Sequence, residues 1–135
     1  MSTSDFEAIQ NLKARYCAAG DSATRDREAA HRTLCALFTD DVVADYGFGE
    51  MRGGEAIGVF LSDAIGGGSE WMVHNIHTPL IDIDGDRATG SWTVNVRMKR
   101  TGTGNIDFVF GRYADEFVRT PTGWKIARVE FTRYE

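Results

Sequence analysis

Cysteine is scarce in this chain: Cys17 and Cys35 are its only two in 135 residues. They form no CxxC pair and no disulfide framework, and both fall in helical patterns where reduced, buried thiols are common. The three histidines, His31, His74 and His77, show no HExxH or related spacing with the acids, so no metal is expected. Basic charge is also in deficit, with 15 Lys and Arg against 20 Asp and Glu and a net charge of −5. That balance, without a basic cluster, argues against a nucleic-acid partner. No apolar run is long enough to span a bilayer, and Met1–Gln10 is too polar and acidic for a signal peptide. No serine-nucleophile motif is present, and Gly66-Gly67-Gly68 lacks the residues of a phosphate or dinucleotide loop, so it is expected to stop a helix. What is left is an ordinary globular composition, 42% apolar and 26% charged. The chain is expected to be one cytoplasmic domain over residues 1–135, with no membrane contact and no cofactor.

The apolar spacing gives the elements. Ser4 with Glu7 reads as a capping box that opens a first helix. Phe6, Ile9, Leu12, Tyr16 and Ala19 then recur at three and four residues, marking one buried face. A polar linker, Asp21–Arg27, leads to a second helix over about Glu28–Phe38, with Ala30, Leu34, Leu37 and Phe38 inward. Val42–Tyr46 is a short strand. Glu55–Ile65 is a third helix with Ile57, Phe60, Leu61 and Ile65 inward. Four long strands follow: Trp71–Ile83, Ala88–Lys99, Ile106–Arg119 and Trp124–Arg133. In the second of these Ala88, Gly90, Trp92, Val94, Val96 and Met98 share one parity, and polar residues hold the other. Helices first and an antiparallel meander after make the class α+β. A curved sheet wrapped on three helices forms a cone with an interior cavity, a natural ligand site.

The stretch Arg15–Asp21 closes the first helix. Gly20 suits the left-handed position past a helix end, and Asp21 follows it. Tyr16 and Asp21 are five positions apart, about 140° around an ideal helix. They are expected to converge only if Gly20 breaks the helix there.

Four segments carry a family likeness: Ile9-Gln10-Asn11-Leu12 with Tyr16 and Asp21; Leu37-Phe38-Thr39-Asp40-Asp41-Val42-Val43; Pro79–Gly90; and Gly111-Arg112-Tyr113 through Phe117-Val118-Arg119 with Gly123–Arg128. With them the chain resembles the SnoaL-like group of the NTF2-like superfamily. The resemblance implies an NTF2-like cone, three helices on a strongly curved, mostly antiparallel sheet. Scytalone dehydratase, bile-acid dehydratase and hexachlorocyclohexane dehydrochlorinase look similar in using an Asp–His pair. The pattern points to Asp21, with His74 as the better match for the histidine and His77 possible after a small shift. Tyr16 looks like the tyrosine that precedes the bile-acid dehydratase aspartate. The chain is also expected to form a homo-oligomer, dimer or trimer, since the polar parity of Ala88–Lys99 suits a solvated outer face or a wet dimer interface.

These residue types suit a cofactor-free β-elimination or isomerisation. A neutral imidazole takes a proton from carbon when a carboxylate holds its other nitrogen, and a phenol donates to the substrate oxygen. Each residue also has a plainer reading: Asp21 as a cap of the second helix, Tyr16 as a core aromatic, His74 as a structural histidine. His74 shares parity with Met72, Ile76 and Leu80, while Trp71, Val73, Ile81 and Ile83 hold the other, and a bulge near Pro79 reconciles the two. His31 reads as surface or interface. Candidate lining residues are Tyr46, Phe60, Trp92, Phe108 or Phe110, Tyr113 and Phe117, suited to a small, flat, hydrophobic, oxygen-bearing molecule. The alternative is a non-catalytic module that binds a small apolar ligand or a protein partner through the same cone.

Overall fold

The computed structural model describes residues 4–135; residues 1–3 of the expected domain lie outside the described residues. Its elements are α1 (Asp5–Ser22), α2 (Arg27–Leu37), β1 (Phe38–Asp45), β2 (Glu50–Arg52), α3 (Gly54–Gly68), β3 (Ser69–Asp84), β4 (Arg87–Arg100), β5 (Ile106–Thr120) and β6 (Gly123–Arg133). Three helices pack on one curved, unclosed six-stranded sheet of order β2-β1-β6-β5-β4-β3. The β3–β6 meander is antiparallel, and β1 joins it by pairing parallel to β6.

Helix α1 starts as the capping box predicts. The Ser4 hydroxyl accepts from the Glu7 backbone N–H and donates to the Glu7 carboxylate. Its buried face carries Ile9, Leu12, Lys13, Tyr16, Cys17, Ala19 and Gly20, while Phe6, expected there, is largely exposed. Helix α2 is capped by Asp26, whose carboxylate accepts from the Ala29 N–H at 3.0 Å.

Two glycine expectations are corrected. Helix α1 does not end at Gly20; it continues through Asp21 to Ser22. Gly20 lies inside the helix, and a Cβ on it would meet Ile65 Cδ1 at 3.4 Å, an ordinary van der Waals contact. Helix α3 likewise runs through Gly66–Gly68 rather than stopping before them. A Cβ on Gly66 would lie 2.6 Å from the Ala23 carbonyl oxygen and 2.7 Å from Arg27. Bare backbone lets the end of α3 press on the α1–α2 turn, and that tertiary contact outweighs the low helix propensity of glycine.

The core lies between α1 and the concave face of the sheet. Along β4 the expected parity holds: Ala88, Trp92, Val94, Val96 and Met98 are buried and their neighbours are not. In β3 the pairing with β4 slips between His77 and Leu80, with Thr78 at φ 51° beside Pro79. The slip puts Met72, His74 and Ile76 inward before it and Ile81 inward after it. At Gly111 in β5 a Cβ would lie 2.5 Å from both the Thr132 carbonyl oxygen and Phe131 Cε1. Gly111→Ala is therefore expected to cost about 1–3 kcal/mol through strand displacement. Urea denaturation reads this, and an unchanged midpoint would show that the β5–β6 contact has slack. Among the described residues, no helix is long and apolar enough to cross a membrane.

Candidate active site

The interior of the cone holds a cavity of about 310 Å³. Its wall is built from α1 (Tyr16, Cys17, Gly20), α3 (Phe60, Leu61, Ala64, Ile65), β3 (Met72, His74), β4 (Val96, Met98) and β5 and β6 (Val109, Tyr113, Phe131). Tyr46 and Phe48, from the connection between β1 and β2, close one side, and Arg100 and Arg133 add two guanidinium groups.

The chemistry-bearing groups meet where α1 crosses β3. Asp21 in the last turn of α1 faces His74 from outside the cavity wall, and His74 itself lines the cavity. The two Asp21 oxygens are used separately. Oδ1 lies 2.6 Å from the His74 Nδ1, and Oδ2 accepts from the His74 backbone N–H at 3.1 Å. Holding both ring and backbone fixes the imidazole in rotation and in translation. A carboxylate on Nδ1 selects the Nδ1–H tautomer and leaves Nε2 as an unprotonated acceptor. Only 11% of the His74 side chain and 19% of the Asp21 side chain are exposed, so the pair is shielded from water.

Convergence does not need the helix break expected at Gly20. Tyr16 and Asp21 stay on different faces of a continuous α1. Tyr16 reaches the cavity directly, and Asp21 acts on it through His74, which stands between. His77 is on the exposed side of β3, where its Nε2 lies 3.2 Å from the Asn95 Nδ2. The structure thus places the candidate aspartate beside His74 and away from His77.

Tyrosines supply the other polar atoms. The Tyr16 and Tyr46 hydroxyls share a short hydrogen bond. The Tyr113 ring stands edge-on to Tyr16 at 5.9 Å, and the Tyr46 ring stacks on Phe60 at 5.9 Å. Burial pushes all three phenols above their ordinary range, so they stay protonated and remain donors. Burial also pushes the Cys17 thiol up to about 11. Although Cys17 lines the cavity, it is no thiolate nucleophile at neutral pH.

Of the candidate aromatics, Tyr46, Phe60 and Tyr113 line the cavity, and Trp92, Phe108, Phe110 and Phe117 do not. Phe108 has the outward parity of β5; it is half exposed and stacks with Phe110 on the convex face. Trp92 does point inward, but its ring packs edge-on to Phe117 at 6.0 Å under α1, filling the core instead of the cavity. Phe117 is core for the same reason.

The sequence reading passed over Lys13 and Asp115. Both are fully buried, with the ammonium 2.9 Å from the Asp115 Oδ2. The same ammonium sits over the rings of Tyr16, at 3.9 Å, and Tyr113, at 3.5 Å, so a cation underlies two of the cavity phenols. The signal was present: Lys13 stands four residues from Ile9 on the buried face, and Asp115 keeps the inward parity of Tyr113 and Phe117.

Comparison with known proteins agrees with this architecture. The chain superposes on a protein described as a candidate scytalone dehydratase from Novosphingobium aromaticivorans with a TM-score of 0.85 at 22% identity, covering 96% of this chain and 84% of the other. An NTF2-like superfamily protein from Salmonella enterica gives 0.81 at 21%, covering 94% and 89%. A hexachlorocyclohexane dehydrochlorinase of type 3 from Novosphingobium barchaimii gives 0.80 at 17%, covering 95% and 85%. These superpositions show a shared fold. No curated protein sequence matches the chain. The profile of the SnoaL-like domain matches residues 1–130, nearly the whole chain, and the protein therefore belongs to the SnoaL-like domain family.

Proposed function

We propose that this chain is a single-domain, cytoplasmic lyase or isomerase whose chemistry runs on its own side chains. Its substrate would be a small hydrophobic molecule bearing a carbonyl or hydroxyl. The observation that carries the reading is the two-point grip of Asp21 on His74, which leaves one imidazole nitrogen for the cavity beside the tyrosine hydroxyls.

In the dehydratase form, His74 Nε2 takes a proton from the carbon next to a carbonyl. Tyr16 donates to the carbonyl oxygen as negative charge builds there. The C–H electron pair becomes the new C=C bond, the C–O bond at the neighbouring carbon breaks, and the hydroxyl leaves as water with the proton carried by the imidazolium. In the isomerase form the same proton returns to a different carbon. Asp21 stabilises the imidazolium in both. Tyr46, bonded to the Tyr16 hydroxyl, orients that donor, and Phe60 and Tyr113 hold the apolar part of the substrate. The dehydratase and dehydrochlorinase descriptions of structural neighbours, both eliminations, favour the lyase form. A purely ligand-binding module would leave Asp21 free to face solvent; its engagement with His74 favours catalysis. The convex face, with Trp71, Val73, Phe108 and Phe110 exposed, is the surface on which a homo-oligomer would form.

The test uses a panel of hydrophobic β-hydroxy ketones in D2O, followed by NMR for loss of water and for exchange at the α carbon. Turnover or exchange on at least one member is expected. Tyr16→Phe should lower kcat by roughly 10²-fold with little change in KM, because its donor acts where charge develops. Ligands that raise the unfolding temperature yet never exchange or react would establish the binding module instead.

A further inference from the structure

Away from the cavity, α2 and α3 bring together three groups that the elimination chemistry does not use. His31 and Cys35 are four residues apart on α2, so they share one helix face. Glu55 lies in the first turn of α3, opposite them. The His31 ring nitrogen, the Cys35 sulfur and a Glu55 carboxylate oxygen all lie within 4.8 Å of one another.

Three features distinguish this group from a chance surface contact. The His31 Nε2 is shielded from solvent and makes no hydrogen bond, although a Glu55 oxygen is 3.2 Å away. Gly58 on α3 keeps the space open: a Cβ there would lie 2.6 Å from His31 Cδ2 and 3.2 Å from Cys35 Sγ. Third, the spacing suits a small tetrahedral ion. Bonds of about 2.0–2.3 Å to nitrogen, oxygen and sulfur put ligand atoms roughly 3.3–3.7 Å apart. The His31–Glu55 separation of 3.2 Å is near that range, and all three donor atoms lie within 4.8 Å of one another.

We propose that His31, Cys35 and Glu55 form a binding site for a borderline-soft divalent cation such as Zn²⁺. The donor set of one imidazole, one thiolate and one carboxylate matches that class of ion. Binding releases the Cys35 thiol proton, which now points to the Gly54 carbonyl at 3.4 Å, and the two anionic ligands then balance the dication. A fourth position is left for water. The ion ties α2 to α3, and α3 supplies Phe60, Leu61, Ala64 and Ile65 to the cavity wall, so metal occupancy stiffens that wall without entering the chemistry. The three groups lie on two helices, so no short sequence motif marks them. The site is independent of the proposed elimination.

The test is titration of the reduced, metal-stripped full chain with Co²⁺. One equivalent should bind, with tetrahedral d–d bands and a thiolate-to-cobalt charge-transfer band in the near ultraviolet, and Zn²⁺ should displace it. Cys35→Ser should abolish the charge-transfer band. His31→Ala, Glu55→Gln and Gly58→Ala should each weaken binding at least about tenfold. His74→Gln should leave the spectrum unchanged. Circular dichroism checks that each variant folds; Glu55→Gln, altering an exposed side chain, keeps the test valid if a buried change disrupts folding. No charge-transfer band in the parent chain, a band that survives Cys35→Ser, or one lost in His74→Gln but kept in folded Glu55→Gln would each overturn the site.

Discussion

His74→Gln is expected to lower turnover by about 10²–10⁴-fold while leaving the unfolding midpoint nearly unchanged. Glutamine keeps the volume and a polar end, and it can still meet Asp21, but it has no nitrogen basic enough to take a proton from carbon. Asp21→Asn should fall in the same range for a different reason. The asparagine can offer an N–H to His74 Nδ1, which selects the opposite tautomer and puts a proton on the nitrogen that faces the cavity. It also removes the negative charge that stabilises the imidazolium. Because both changes disable one unit, the double variant should be about as slow as either single one. Steady-state kinetics on any substrate found by the NMR panel measures all three. Full activity in His74→Gln would remove His74 as the base, and multiplicative losses in the double variant would mean that Asp21 acts on the substrate separately.

The second large effect concerns stability. Asp115→Asn at neutral pH should cost about 3–5 kcal/mol, because it leaves the Lys13 ammonium buried without a counter-charge. The faces of Tyr16 and Tyr113 still attract it, but they do not replace a carboxylate at 2.9 Å. Lys13→Met should cost less, since the orphaned carboxylic acid can take up a proton and become neutral. Lys13→Met with Asp115→Leu should be more stable than Asp115→Asn alone, because no buried charge is left. Urea denaturation of the three variants checks the order, and a double variant no better than Asp115→Asn would mean that packing, not charge, dominates this site.

Two opposing causes act on the Asp115 carboxyl: burial pushes it up, to about 6, and Lys13 pulls it down.

Much of the architecture could be read along the chain. The capping box at Ser4, the three-and-four spacing in α1 and the strict alternation of β4 are local signals, and each fixes which face of its element is buried. The bulge near Pro79 was needed to reconcile two parities in β3, and the register slip is there. Glycine misled, because the same residue serves as a helix stop and as a contact surface. Both Gly20 and Gly66 lie within helices; the Ala23 carbonyl presses against Gly66, and nothing adjacent in sequence shows that neighbour.

The sequence by itself determined the α+β order of elements and the supply of aromatic side chains, a tyrosine, an aspartate and histidines. Those follow from short-range periodicity and side-chain chemistry. The tertiary structure decided which histidine the aspartate holds, that Phe108 faces out, and that Lys13 finds Asp115. Partners such as these lie on elements far apart in the chain. Their pairing depends on the curvature of the sheet and the angle at which α1 crosses it, which arise only when all the elements pack together.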